Sequence, residues 1–133
     1  MDNERYVFLL KKIIEDTKEN KVVWHYLDSN YSLYEGMNWT KTKTEFGFFP
    51  AKEKVYPNFD VENSFYTLIR DTYIVLLVYS NQPAILYVVP KTYKKVVTLS
   101  PDKYGELITR LLNLVESKFP DGEDFIEEYI GKN

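Results

Sequence analysis

The sequence predicts an α+β fold with an N-terminal helix, a five- or six-stranded antiparallel meander sheet, and two C-terminal helices packed on one sheet face. Three observations predict this class. Apolar residues recur at helical spacing near both ends of the chain. Short β-branched and aromatic segments, separated by turn residues, occupy the middle. A chain of 133 residues has room for one core, so residues 1–133 are expected to form one domain.

The first helix is predicted over residues 2–21, where apolar side chains recur on one side between charged ones. Asn20 is expected to end the helix, because asparagine tolerates the left-handed backbone conformation found at helix ends. Residues 22–27 are β-branched and aromatic, which predicts a strand, and residues 28–38 lack periodicity, which predicts a loop.

Several strands are predicted in the middle of the chain. Strict alternation from Trp39 predicts a strand with one wet face. Pro50 and Pro57 confine the segment between them to a sheet edge or a loop, because proline has no N–H to donate. Hairpin strands are expected at residues 64–70, 73–80 and 84–89, and a further one at 94–99. Residues 73–79 are apolar throughout, which predicts a central strand covered on both faces.

The clearest boundary is the start of the helix after Ser100. Serine is a good N-cap, Pro101 fits the first helical position, and Asp102 lies in the positively polarised first turn. The last helix follows residues 119–122 and is expected to turn its apolar side chains inward, namely Phe125, Ile126, Tyr129 and Ile130. Its acids are interpreted as a solvated outer face in preference to a docking surface for a basic partner.

The composition excludes several classes of chemistry. There is no cysteine, which excludes disulfides, thiolate metal sites and a cysteine nucleophile, and one histidine excludes a site that needs two imidazoles. Five scattered glycines form no phosphate-binding loop. A structural role is favoured for His25, since the neighbouring Asp28 and Ser29 diverge from it along the chain. The expectation is a protein that is not an enzyme and has no metal site and no cofactor.

The charge of the chain disfavours one class of partner, and its hydropathy predicts where the protein is located. The net charge is −3 and only three residues are arginine, so nucleic acid is disfavoured as a partner. No apolar run approaches the roughly 20 residues that span a bilayer, and the N-terminus does not resemble a signal peptide. A cytoplasmic location without membrane attachment is expected. The excess of lysine over arginine, with many Asn, Ile and Tyr residues, is typical of a low-GC bacterium or its phage.

Aromatic residues are the main compositional excess, at 17% of the chain. The loop at 28–38 and the strand after it hold rings with polar tips, which are common in binding surfaces. We therefore predict a non-catalytic cytosolic protein that acts through protein–protein contacts, as an accessory, antagonist or immunity-type protein. The predicted protein–protein contact can be a homodimer that forms through a sheet edge or a helix face. The competing interpretation is that the rings of the loop at 28–38 pack in the core. The predicted contact residues are Tyr31, Tyr34, Met37, Trp39, Phe48 and Phe49.

Two other functions stay open from the sequence. One is a small-ligand or nucleotide-binding protein with an aromatic-lined cleft, in which Tyr26 stacks on a base and Arg70 meets a phosphate. The other is a carboxylate metal-dependent nuclease or hydrolase that uses Asp60, Glu62 and Asp71.

Overall fold

The computed structural model describes residues 2–30, 32–33, 39–42, 51–54, 59–119 and 122–131. Three α-helices and seven strands lie in these ranges, with 3₁₀ turns at Leu27–Ser29 and Val61–Asn63. In chain order the helices and strands are α1 (Asp2–Lys18), β1 (His25–Tyr26), β2 (Trp39–Thr42), β3 (Ala51–Lys54), β4 (Phe65–Ile69), β5 (Thr72–Leu77), β6 (Ile85–Pro90), β7 (Val97–Leu99), α2 (Pro101–Glu116) and α3 (Gly122–Gly131).

Five strands form one antiparallel sheet in the order β1-β4-β5-β6-β7, and β2 pairs with β3 in a separate two-stranded sheet. Strands β4 to β7 follow one another as a meander, as the spacing of the turn residues predicts. Arg70 and Asp71 join β4 to β5, with Arg70 in the left-handed region at φ 57°. The predicted α+β class is confirmed.

Both predicted helix boundaries are confirmed by their capping geometry. Asn20 adopts φ 58° at the end of α1, and its backbone N–H donates to the carbonyl of Thr17 at 3.1 Å. The N–H of Lys21 donates to the carbonyl of Asp16 at 2.8 Å, which completes a Schellman motif. At the start of α2, the Ser100 Oγ accepts a hydrogen bond from the backbone N–H of Asp102 at 3.1 Å.

The core lies in two layers, one on each face of the five-stranded sheet. Ile74 and Leu76 of β5 belong to the layer that α1 and α2 cover. Val75 and Leu77 point the opposite way and pack in a second layer, which includes Leu27. These four β5 residues, 74–77, are all buried, so the prediction of a central strand covered on both faces is confirmed.

A buried hydrogen-bond chain fixes the segment that leaves α1. The Trp24 indole Nε1 donates to the Thr17 Oγ1 at 3.0 Å, and that hydroxyl donates to the carbonyl of Ile13 at 2.8 Å. Thr17 is 1% exposed and Trp24 5% exposed, so water does not replace either bond. Nearby, the Thr67 hydroxyl of β4 donates to the carbonyl of Val23 at 2.7 Å.

The strand predicted at residues 22–27 is shorter in the structure, where only His25 and Tyr26 pair with β4. At the start of the segment, the Val23 carbonyl is bonded to a side-chain hydroxyl instead of a ladder N–H. At its end, the Leu27 N–H still donates to the carbonyl of Ser64 at 2.8 Å, but the backbone enters a 3₁₀ turn at Leu27 and the strand stops there. In the segment between the two prolines, Ala51–Lys54 forms β3, which pairs with β2, so for these four residues the edge alternative of the prediction holds. Residues 43–48 of the predicted alternating strand lie outside the described residues.

Helix α3 differs from its prediction. The side chains of Phe125, Ile126, Tyr129 and Ile130 are exposed, so the expectation that they turn inward is wrong. The helix-covered face of the sheet is already occupied by α1 and α2, which pack on each other through Tyr6 and Tyr104 with ring centroids 6.1 Å apart. The amphipathic pattern of α3 is therefore not used to cover the sheet.

We predict that Thr17→Val lowers the free energy of unfolding by about 1–3 kcal/mol, because the buried Trp24 N–H loses its acceptor. Urea denaturation measures the change. Thr98→Val, at an exposed position on β7, is the matched control and is expected to change stability by less than about 0.5 kcal/mol. Equal effects of the two substitutions would contradict the assignment.

We also predict that Leu76→Ala and Leu77→Ala each lower the free energy of unfolding by about 2–5 kcal/mol, since both faces of β5 are buried. Leu68→Ala on the neighbouring strand β4 is the control, because Leu68 is 43% exposed, and it is expected to cost less than about 1 kcal/mol. If only one of the two β5 variants were destabilised, the second core layer would not be packed as described.

Candidate functional site

The predicted aromatic contact surface lies almost wholly outside the described residues. Five of the six predicted contact residues lie outside the described residues, namely Tyr31, Tyr34, Met37, Phe48 and Phe49. The backbone of Trp39 begins β2, where it pairs with Lys54. The surface at residues 28–49 therefore stays a prediction.

The structure does not bring Tyr26 and Arg70 together. Tyr26 pairs with Phe65, the first residue of β4, whereas Arg70 follows the last residue of that strand. Five residues at about 3.3 Å each separate the two positions by about 17 Å. The Tyr26 ring lies against the rings of Phe65 and Phe119, with centroids 5.2 and 4.7 Å apart. Tyr26 thus packs at the end of the sheet that is distant from Arg70.

The three carboxylates proposed for metal chemistry are also apart. The Asp60 carboxylate accepts hydrogen bonds from the backbone N–H and the side-chain amide of Asn63, at 3.3 and 2.7 Å, and so stabilises the 3₁₀ turn that contains Glu62. Asp71 lies in the turn at the far end of β4. Within the ranges that the structure describes, no group of three or more His, Cys, Asp or Glu residues is placed to hold a metal ion.

The ring of His25 and the phenol of the half-buried Tyr79 each contact a neighbouring tyrosine. His25 is exposed, and its ring packs against Tyr66 with centroids 5.3 Å apart. Burial raises the pKa of the Tyr79 phenol, and a side-chain hydrogen bond with Tyr87 acts in the opposite direction. The Tyr79 hydroxyl is therefore protonated at neutral pH and takes part in the second core layer as a hydrogen-bonding group.

The most prominent exposed apolar surface in the described residues is one side of α3. Its four large apolar residues are spaced so that they share one side of the helix, over an arc of about 140° at 100° per residue. The acidic residues Glu123, Asp124, Glu127 and Glu128 occupy the remaining arc. The exposed fractions of the apolar residues are 63% for Phe125, 49% for Ile126, 73% for Tyr129 and 61% for Ile130. We call these four residues the α3 apolar face.

The two rings of the α3 apolar face are stacked. Phe125 and Tyr129 lie one turn apart, with ring centroids 5.5 Å apart and planes inclined by 13°. Such an i, i+4 pair restricts the rotamers of both side chains. The face therefore presents a flat, partly ordered aromatic surface, of the kind that loses little entropy when a partner covers it.

A second surface is a groove between α1 and α2. One cavity of about 390 Å³ is lined by residues of both helices, and a second of about 280 Å³ adjoins it along α1, because Val7 and Lys11 line both. Val7, Phe8 and Leu107 supply apolar surface, and Phe8 is 71% exposed. Charged residues at the groove are Glu4, Lys11, Lys103, Glu106 and Arg110. We call this surface the α1–α2 groove.

The amphipathic pattern of α3 is visible in the sequence, but the prediction that its apolar side faces the core is wrong, and the sequence contains no prediction of the α1–α2 groove. The exposure of α3 could have been predicted from its position in the chain, because α3 follows two amphipathic helices, α1 and α2, that already cover one face of the sheet. The groove has no comparable signal, because its residues come from segments about 100 positions apart in the sequence.

No protein-family model matches the chain, and the searches of curated proteins and of solved structures found no match. Among the described residues, none of the helices has both the length and the apolar character needed to cross a bilayer.

We predict that Phe125→Ala combined with Tyr129→Ala changes the free energy of unfolding by less than about 1 kcal/mol, because both side chains are already exposed. Ile108→Ala on α2, where Ile108 is 1% exposed, is the control and is expected to cost about 2–5 kcal/mol. Chemical denaturation of the three proteins measures this. A loss as large as that of the control would show that the α3 apolar face is buried.

Proposed function

We propose that this chain is a non-catalytic binding protein that acts through protein–protein contacts, and that the α3 apolar face is its contact surface. The observation that supports the proposal is the exposure of four large apolar side chains on one side of a ten-residue helix. Contiguous exposed apolar patches of this kind mark interaction sites in soluble proteins. The proposal includes the cytoplasmic location and the bacterial or phage origin expected from the sequence.

The geometry of α3 favours the helix-in-groove mode of recognition. In that mode an amphipathic helix lays anchors at i, i+3, i+4 and i+7 spacing into a hydrophobic groove. The α3 apolar face contains the i, i+3 and i, i+4 spacings among its four residues. Phe125 and Tyr129 supply the two rings, and tyrosine is enriched among residues that contribute most to binding. The acids on the other side of the helix keep that side in water.

Charge defines the chemistry of the partner. Glu123 lies one turn before Ile126 and Glu127 one turn before Ile130, so both carboxylates border the α3 apolar face. Helix residues 122–131 hold four acids and no base. The partner is therefore expected to offer an apolar groove bordered by lysine or arginine, because like charges across an interface are unfavourable and opposite charges guide association.

An accessory, antagonist or immunity-type protein acts by occupying a surface of the protein it serves, and an exposed recognition helix suits that role. The surface predicted at residues 28–49 is a second contact region of the same proposal. Tyr26 and Arg70 lie at opposite ends of β4, which disfavours the cleft suggested for a small ligand.

To test the proposal, p-benzoylphenylalanine is placed at Ile126 in the full chain, expressed in cells and irradiated. We expect a covalent adduct to a protein, identified by mass spectrometry, and at least a tenfold lower yield when Phe125→Ala and Tyr129→Ala are added. The same crosslinker at Lys91, an exposed position on the β6–β7 connection, is the matched control and is expected to give no discrete adduct.

The captured protein is then purified and its affinity measured against the wild-type chain and the double variant. A submillimolar Kd that weakens in the variant supports the proposal. Adducts of equal yield from both crosslinker positions, or no protein adduct at Ile126, would show that the α3 apolar face does not bind protein.

A further inference from the structure

We propose that the α1–α2 groove of one copy of this chain receives helix α3 of a second copy, and that the two copies exchange their α3 helices reciprocally. The inference rests on the proposed function, because it names the partner of the α3 apolar face. That face requires an apolar groove bordered by cations, and the α1–α2 groove has this chemistry.

Apolar surface is available on both sides of the contact. Val7 and Leu107 are half-buried and form the floor of the groove, and Phe8 projects from α1 beside it with 71% of its surface exposed. The face brought by α3 holds two rings and two isoleucines. Contact between the two surfaces would remove both from water.

The charges are complementary. Within the described residues, the Lys11 and Lys103 ammonium groups form no ion pair, whereas Arg110 pairs with Glu106 at 3.4 Å. Glu4 is the remaining carboxylate and lines only the α1 end of the groove. Lys11 and Lys103 are therefore the cations that Glu123 and Glu127 of an incoming α3 would meet.

The dimensions also match. The groove residues of α2 run from Lys103 to Arg110, which is about 10 Å of helix at about 1.5 Å per residue. Helix α3 has ten residues and is about 15 Å long on the same scale. One helix therefore covers the groove from end to end.

Buried area favours a reciprocal exchange over a one-way contact. At about 200 Å² for a large side chain, the exposed fractions of the α3 apolar face amount to roughly 490 Å². One helix in one groove would then bury roughly 980 Å² in total, below the roughly 1,200–2,000 Å² of stable interfaces. Two such contacts bury roughly 1,960 Å², which lies at the upper end of that range. A two-fold dimer provides both contacts at once.

Pairing of α3 with α3 is disfavoured by charge. Glu123 and Glu127 border the α3 apolar face, so a symmetric pair of these helices would bring the two carboxylates of one copy toward those of the other. Docking of α3 on the groove of its own chain differs from the arrangement observed, in which the α3 apolar face is exposed. The α1–α2 groove of a second copy is the site that satisfies both constraints.

The test uses light scattering coupled to size-exclusion chromatography on the full chain, three double variants and one equimolar mixture of two of these variants. The wild type is expected at twice the 15.8 kDa of one chain. Glu123→Lys with Glu127→Lys, and separately Lys11→Glu with Lys103→Glu, are each expected at one chain mass, because like charges then face each other. An equimolar mixture of these two variants restores both pairings in trans and is expected to return to twice the chain mass.

Lys91→Glu with Lys94→Glu is the matched control, because it changes the net charge by the same amount as Lys11→Glu with Lys103→Glu, but at exposed sites away from the groove. This control variant is expected to stay dimeric. The inference is overturned by a monomeric wild type, by a dimer that both charge-reversed variants retain, or by an equimolar mixture that stays monomeric.

The crosslink at Ile126 separates this inference from the proposed function. An adduct to the α1 or α2 peptides of a second copy supports both. An adduct only to a different protein supports the proposed function and overturns the dimer. No protein adduct at all contradicts the proposed function itself.

Discussion

The structure depends on covering both faces of strand β5. Successive side chains of a strand point to opposite faces, so the four buried apolar residues 74–77 require one apolar layer above the sheet and another below it. Helices α1 and α2 provide the first layer. The second is built around Leu27 and Leu33, which the chain places there after it leaves α1. Burial of β5 therefore requires both layers.

Among the described residues, three polar side chains are buried, and each of them has a hydrogen-bond partner. Thr17 accepts from Trp24 and ties the end of α1 to the approach to β1. Ser64 donates to the carbonyl of Asp60 at 2.7 Å and accepts from the N–H of Val78 at 2.9 Å, where β4 begins and β5 has ended. Thr67 fixes the segment before β1 on the sheet. A buried polar group without a partner is destabilising, so these bonds select one arrangement of the elements.

Most of the fold was predictable because its signals are local. The cap at Ser100 and the left-handed Asn20 depend on a few adjacent residues, and both are confirmed. The length of β1 was not predictable, because the hydroxyl that occupies the Val23 carbonyl comes from Thr67, 44 positions away. For the candidate site, the two faces of α3 are visible in the helical spacing of its residues, but the burial of Phe125 and Tyr129 depends on whether a sheet face remains uncovered.

Local patterns are enough to predict the helices, the hairpin strands and the apolar central strand, because hydrophobic period and capping residues act over a few positions. The exposure of the α3 apolar face, and the placement of Lys11 and Lys103 at one groove, follow from the packing of distant elements. The physical reason is that burial depends on how many elements compete for a given surface, and that competition is settled when the whole chain packs.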